Sequence, residues 1–352
     1  MRRAVPIPLS STALADQVQP LFAGFEARFT AAPAETAFHV AGTDFLCRSA
    51  DASYSEILVR VLPVAVPSAA PQVRVLVDLC DTPLSLGWPR WSEPYFRERE
   101  VEAALFATPF RLHFHDQTDF WQVFDRGLNC GLQLMRKAAG YPDWDTGSPL
   151  RNLIHWALAE QGGGLVHAGS LGLGERAVLL AGTGGSGKSG TVLAGLLHGL
   201  TSLGDDYVAI TTKSGIRAHR AFNSLKQDPG GFARLGLTGR VRGKAALNWQ
   251  GKHQFTFDHL GVPSQPDSLP VTALCLPHVA TAARTTFAPV SAREAFLALA
   301  PSGVAQIPSA RAETFRLCAA LSRDLPAYRV ALGTDPAEIA AAFAAFLDGT
   351  AP

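Results

Sequence analysis

Gly182-Thr183-Gly184-Gly185-Ser186-Gly187-Lys188-Ser189 fits G-x-x-x-x-G-K-[ST], the spacing of a phosphate-binding P-loop. A triphosphate brings several negative charges that must be held out of bulk water. Successive backbone N–H groups at a helix N-terminus can hold them only if the chain wraps tightly. Glycine at 182, 184, 185 and 187 is expected to permit that wrapping. Lys188 then reaches the β and γ phosphates as a point charge, and Ser189 offers its hydroxyl to Mg²⁺. Thr183, Ser186 and Gly190 complete the nucleotide-binding segment. The apolar run 177–181 before the loop and the helical run 188–200 after it supply the strand, loop and helix order that a chance glycine-rich turn lacks.

Phosphoryl transfer also needs carboxylates that fix the metal and, where the acceptor is a hydroxyl, take its proton. Asp205 and Asp206 stand directly before the apolar run 207–210, a strand edge that an α/β sheet would bring near the phosphates. Adjacent carboxylates repel, so one on Mg²⁺ and one free as base is the arrangement electrostatics favours. A solvated Gly-Asp-Asp turn is the plain alternative. His167 interrupts the short apolar run 165–168, where an unpartnered imidazole would be costly to bury. Taken alone, it reads as a core histidine with a structural partner.

Together, His167-Ala168-Gly169, the P-loop ending Gly187-Lys188-Ser189, and Gly204-Asp205-Asp206 resemble the catalytic domain of bacterial HPr kinase/phosphorylase and its shorter serine-kinase relatives. His167 precedes Gly182 by 15 positions and Asp205 follows Ser189 by 16, the intervals of that family. The resemblance implies that His167 lies beside the Asp that accepts the serine proton, which would make Asp205 the base and Asp206 a metal ligand, with Lys188 also catalytic. Phe222-Asn223-Ser224-Leu225-Lys226 resembles a segment of kinases encoded beside ribosomally made peptides such as lasso peptides, where a peptide serine is phosphorylated. Lys226 would then bind phosphate or substrate; a surface lysine is the other reading. Gly190 departs from the Glu that HPr kinase carries there, and the sequence lacks the signature associated with phosphorylase activity.

These residues must be carried by an α/β fold. The resemblance implies a P-loop kinase domain like the nucleotide domain of phosphoenolpyruvate carboxykinase over residues 148–352; chain length leaves a smaller α+β domain over residues 1–147, expected from its position to serve substrate recognition or assembly. The turn-rich stretch 140–147 marks the boundary, and Ser148 and Pro149 predict the cap and first position of an amphipathic helix joining the two parts. Runs 38–40, 56–62 and 73–79 predict antiparallel strands. Residues 98–106 have a more helical pattern than 117–137. Strands are expected at 165–168, 177–181, 207–210 and 271–276, and the loop-rich, polar stretch 222–270 is expected to contact substrate. Ser291 with Glu294, and Asp335 with Pro336, predict two C-terminal helices.

The net charge of +1 offers no global field toward nucleic acid or an anionic membrane. Cys47, Cys80, Cys130, Cys275 and Cys318 lack zinc-ligand spacing and read as buried thiols in a reducing compartment. Met1-Arg2-Arg3 is not followed by the apolar stretch of a signal, so a cytoplasmic protein is expected. The expected activity is ATP- and Mg²⁺-dependent transfer to a serine of a peptide or small protein. The alternatives are a small-molecule kinase, acting on a hydroxy-amino acid, sugar or nucleoside, and a nucleotide-hydrolysing switch with no acceptor. Hexameric HPr kinase makes self-association an expectation of the resemblance.

Overall fold

The computed structural model describes residues 11–79, 98–115, 120–135, 141–243 and 245–350. Met1-Arg2-Arg3, Cys80, Gln117, Lys137 and Gly140, on which expectations above rest, lie outside them. The chain is mixed α/β. Its first sheet has six strands, Ala34–Val40 (β1), Thr43–Ser49 (β2), Val73–Leu79 (β3), Phe110–His115 (β4), Phe120–Asp125 (β5) and Cys130–Met135 (β6), in the order β1-β2-β3-β6-β5-β4.

The expected strand at 56–62 is instead part of a helix, Ala52–Val61. Asp51 caps it, its carboxylate accepting the Ser53 N–H at 2.8 Å, and Tyr54, Leu58 and Val61 fall on one buried face. That helix carries the chain from β2 back to β3, so these strands pair in parallel, not antiparallel as expected, and β3 is parallel to β6 as well.

The next strands are Gly164–Val166 (β7), Gly169–Leu173 (β8), Arg176–Leu180 (β9), Val208–Thr211 (β10) and Arg217–His219 (β11). Ser224–Gln227 (β12), Ala246–Leu247 (β13) and His253–Thr256 (β14) follow, and Ser268–Ala282 (β15), Thr286–Val290 (β16) and Ala327–Gly333 (β17) come last. The eight-stranded sheet runs β16-β17-β15-β11-β10-β7, with β9 pairing to β15 and β8 to β9. Within the loop-rich stretch 222–270 the chain forms a three-stranded sheet, β12-β14-β13, with short helices at Pro229–Arg234 and Phe257–Leu260.

Side chains of β9 alternate between two cores, as the two-residue period of a strand requires. Val178 and Leu180 pack with Val192 and Leu196 of the helix Lys188–Leu197 and with Phe343 of the helix Pro336–Asp348. Ala177, Leu179 and Ala181 pack with Leu299 of the helix Ala292–Gln306 and Leu321 of the helix Arg311–Asp324. Each Val or Leu so enclosed contributes roughly 1.5–3 kcal/mol. Covered on both faces, β9 is a rigid support for the loop that follows it.

Ser148 does not cap the next helix. The chain turns through Leu150 at φ 59°, and the helix is Arg151–Ala159, buried on all sides from Asn152 to Leu158. Its residues share one core with Val75 and Phe124 of the first sheet and Leu165 and Ala209 of the second. The Asn152 amide donates to Gln122 of β5 at 2.8 Å, so a buried polar pair also ties the helix to the first sheet. Ser291 and Asp335 do cap their helices, accepting from the N–H groups of Glu294 and Ala337. Cys47, Cys130, Cys275 and Cys318 are buried free thiols. Among the described residues no helix is long and apolar enough to cross a membrane.

Candidate active site

The glycine loop leaves the end of β9 and enters the helix Lys188–Leu197 through Gly187. Gly182, Gly185 and Gly187 have φ of 150°, 80° and 103°. At Gly187 a Cβ would also meet Leu332 Cδ1 at 2.5 Å, so only glycine fits there. Gly184 differs from the expectation: its φ is not positive and a Cβ would meet nothing within 4 Å, so the backbone does not require glycine at that position. The Lys188 ammonium folds back over the loop, donating to the carbonyls of Gly182 at 2.6 Å and Thr183 at 3.1 Å. Burial lowers its pKa, while the charges of Asp205 and Asp206 oppose the shift.

The sheet register brings the remaining groups to this loop. β7 and β10 are antiparallel with Val166 opposite Val208, so the next residues outward, His167 and Tyr207, also face one another, with ring centroids 5.5 Å apart. His167 Nε2 thereby reaches Asp206 Oδ1 at 3.0 Å. On the other side of the carboxylate, Lys226 Nζ of β12 donates to Asp206 Oδ2 at 2.9 Å. Burial would raise the Asp206 pKa, but the Lys226 charge and the His167 bond hold it well below the usual carboxylate range.

Asp205 faces elsewhere. The pairing of His167 with Asp205 expected from the sequence is not made, because consecutive residues leaving a bend project in different directions. Asp205 is 2% exposed, and its Oδ2 accepts the Lys226 backbone N–H at 3.0 Å. Its Oδ1 is buried with no hydrogen-bond partner. Burial pushes this carboxyl up to about 6, against the pull of the Lys226 amide and the nearby Ser189 hydroxyl. A buried carboxylate oxygen without a partner, beside a hydroxyl at the mouth of the loop, suits a hard cation. Among the described residues no three His, Cys, Asp or Glu side chains gather into a metal-binding group, so a cation here would draw on Ser189, Asp205, water and phosphate oxygens.

Lys188, Ser189, Gly190, His167, Asp205, Asp206 and Lys226 all line one cleft of about 940 Å³. Arg151, Tyr207 and Gln306 line it as well. The Arg151 guanidinium lies 4.9 Å from the Tyr207 ring centroid and donates to its hydroxyl at 3.2 Å, and that hydroxyl donates to Gln306 at 2.6 Å. Burial raises the Tyr207 pKa, so the hydroxyl keeps its proton. Neither Tyr207 nor Gln306 carried a motif that marked it; Tyr207 is recognisable only as the residue after the Asp pair. No protein-family model matches the chain, and no curated protein matches it.

Proposed function

We propose that the protein is an ATP- and Mg²⁺-dependent kinase that phosphorylates a hydroxyl, a serine of a peptide or small protein. The observation that carries this reading is the placement of the His167–Asp206–Lys226 cluster in the same cleft as the glycine loop and Lys188.

The roles of the two carboxylates are exchanged relative to the sequence reading. Asp206, kept ionised by Lys226 and His167, takes the acceptor proton as the hydroxyl oxygen bonds to the γ-phosphorus. The bond from that phosphorus to the β,γ-bridging oxygen breaks, and ADP leaves with the electron pair. Asp205 and Ser189 would hold Mg²⁺, which when bound neutralises charge on the phosphates. Lys188 and the loop amides stabilise the phosphoryl oxygens, and Lys226 is placed to move from Asp206 to the transferred group.

The test is incubation of the protein with Mg²⁺, ATP and a mixture of serine peptides and small hydroxyl compounds, read by intact mass. A gain of one phosphate on a peptide, lost in D206N, is expected. Release of inorganic phosphate with no phosphorylated acceptor, or transfer to small molecules alone, would sink the peptide-kinase reading.

A further inference from the structure

Trp249 is 61% exposed, although an indole is among the costliest side chains to leave in water. It stands in the turn between β13 and β14, and that turn is rigidly built. Asn248 Oδ1 accepts the N–H groups of Gln250 at 2.9 Å and Lys252 at 3.0 Å, and the Asn248 N–H donates to the Lys252 carbonyl at 2.8 Å. The ring is therefore held out from a fixed backbone, and Trp249 lines the same cleft as the glycine loop.

The strand register places this turn on one particular side of the loop. Gln227 at the end of β12 is opposite His253, the first residue of β14, so residues 248–252 extend beyond Gln227. Gln227 itself borders Gly190: a Cβ on Gly190 would lie 3.8 Å from Gln227 Nε2 and would meet nothing closer. Gly190, at the start of the helix Lys188–Leu197, thus has only Gln227 beside the place where a side chain would stand. Lys252 and Arg234 line the same cleft. An exposed aromatic face and two cations, lining the cleft that holds the glycine loop, suit a nucleoside whose phosphates lie in the loop.

We propose that Trp249 is the stacking platform for the nucleobase, with Lys252 and Arg234, which line the same cleft, serving its phosphates. The proposal rests on the nucleotide reading of the loop and adds where the base goes. Because every base has a π-face, stacking of this kind favours a large ring system, and a purine is the expected occupant.

Binding of Mg²⁺-ATP and Mg²⁺-tripolyphosphate to the wild type, W249A and W249F tests it, by calorimetry and tryptophan fluorescence. ATP is expected to quench the wild-type emission and tripolyphosphate not to. W249A should lose that quench and bind ATP roughly tenfold more weakly, the size of one lost stacking contact, with tripolyphosphate affinity unchanged and ATP affinity largely restored in W249F. An unchanged ratio of ATP to tripolyphosphate affinity in W249A would overturn the proposal and leave the nucleotide reading standing. Quenching that follows only added acceptor peptide would overturn it by giving the ring to the acceptor. Failure of the wild type to bind either polyphosphate would overturn the nucleotide reading itself.

Discussion

His167 Nε2 and Asp206 Oδ1 are 3.0 Å apart because β7 and β10 pair antiparallel up to Val166 and Val208, one residue short of His167 and two short of Asp206. The Asp206 side chain is 28% exposed, enough to meet an acceptor, and its charge is secured by Lys226 on the opposite oxygen. D206N should lower the rate of transfer about 10²–10⁴-fold, the usual contribution of a general base. Its affinity for ATP should stay within a few-fold of wild type. H167A should cost less, since His167 only positions the carboxylate. Single-turnover rates and ATP titrations on the purified variants check both, and a D206N enzyme that transfers at near wild-type rate would remove Asp206 from the chemistry.

Asp205 sets a pH-dependent cost on stability. Its carboxyl lies near pKa 6 in the folded protein against the ordinary 3.8, because burial disfavours the charge. Between those values the folded state holds the proton more tightly than the unfolded chain, so stability falls as pH rises through the window. D205N, which keeps the shape and removes the charge, should stabilise the protein by about 1–3 kcal/mol at pH 7.5, with roughly half that gain at pH 5. Urea unfolding at the two pH values measures it. The same variant should lose Mg²⁺-dependent nucleotide binding, and a D205N protein less stable than wild type at pH 7.5 would contradict the electrostatic account.

Two loop glycines should answer differently to a methyl group. G187A forces a side chain into positive φ and against Leu332, and should destabilise the protein by about 1–3 kcal/mol. G184A meets no protein atom within 4 Å and should leave stability within about 0.5 kcal/mol of wild type. On the proposed nucleotide reading its ATP affinity should nevertheless fall, since a methyl group there would take up space proposed for phosphate. Thermal melts and ATP titrations on the two variants separate backbone need from ligand need.

His155 provides an acid-sensitive point in the core. Burial, with the Arg111 charge, lowers its pKa to about 3, and the neutral ring accepts the Leu165 N–H on Nδ1 at 2.9 Å and bonds Thr314 through Nε2 at 3.1 Å. The unfolded chain takes up a proton on this residue below about pH 6.5 and the folded one does not, so the native state loses stability as pH falls from there toward 3. H155Q should be less stable than wild type at pH 7.5, and the gap should narrow by about 1–3 kcal/mol by pH 4.5. A gap that stays constant with pH would show that the buried ring carries no such linkage.

Much of the framework was legible because it is local. The glycine loop with its flanking strand and helix, and the caps Ser291 and Asp335, are set by residues within a few positions of one another. Residues 56–62 misled because Ile57, Val59 and Val61 favour strand, whereas the Asp51 cap and the packing of Tyr54 and Leu58 impose a helix. The order of the elements along the chain said that His167 and the Asp pair stand near the loop. Which carboxylate meets the histidine, which lies buried beside Ser189, and that Lys226 arrives from a separate three-stranded sheet were decided only by the tertiary structure. Those contacts join residues 20 and 39 positions apart through strand register, and register depends on the pairing of whole strands, which no local pattern in the sequence encodes.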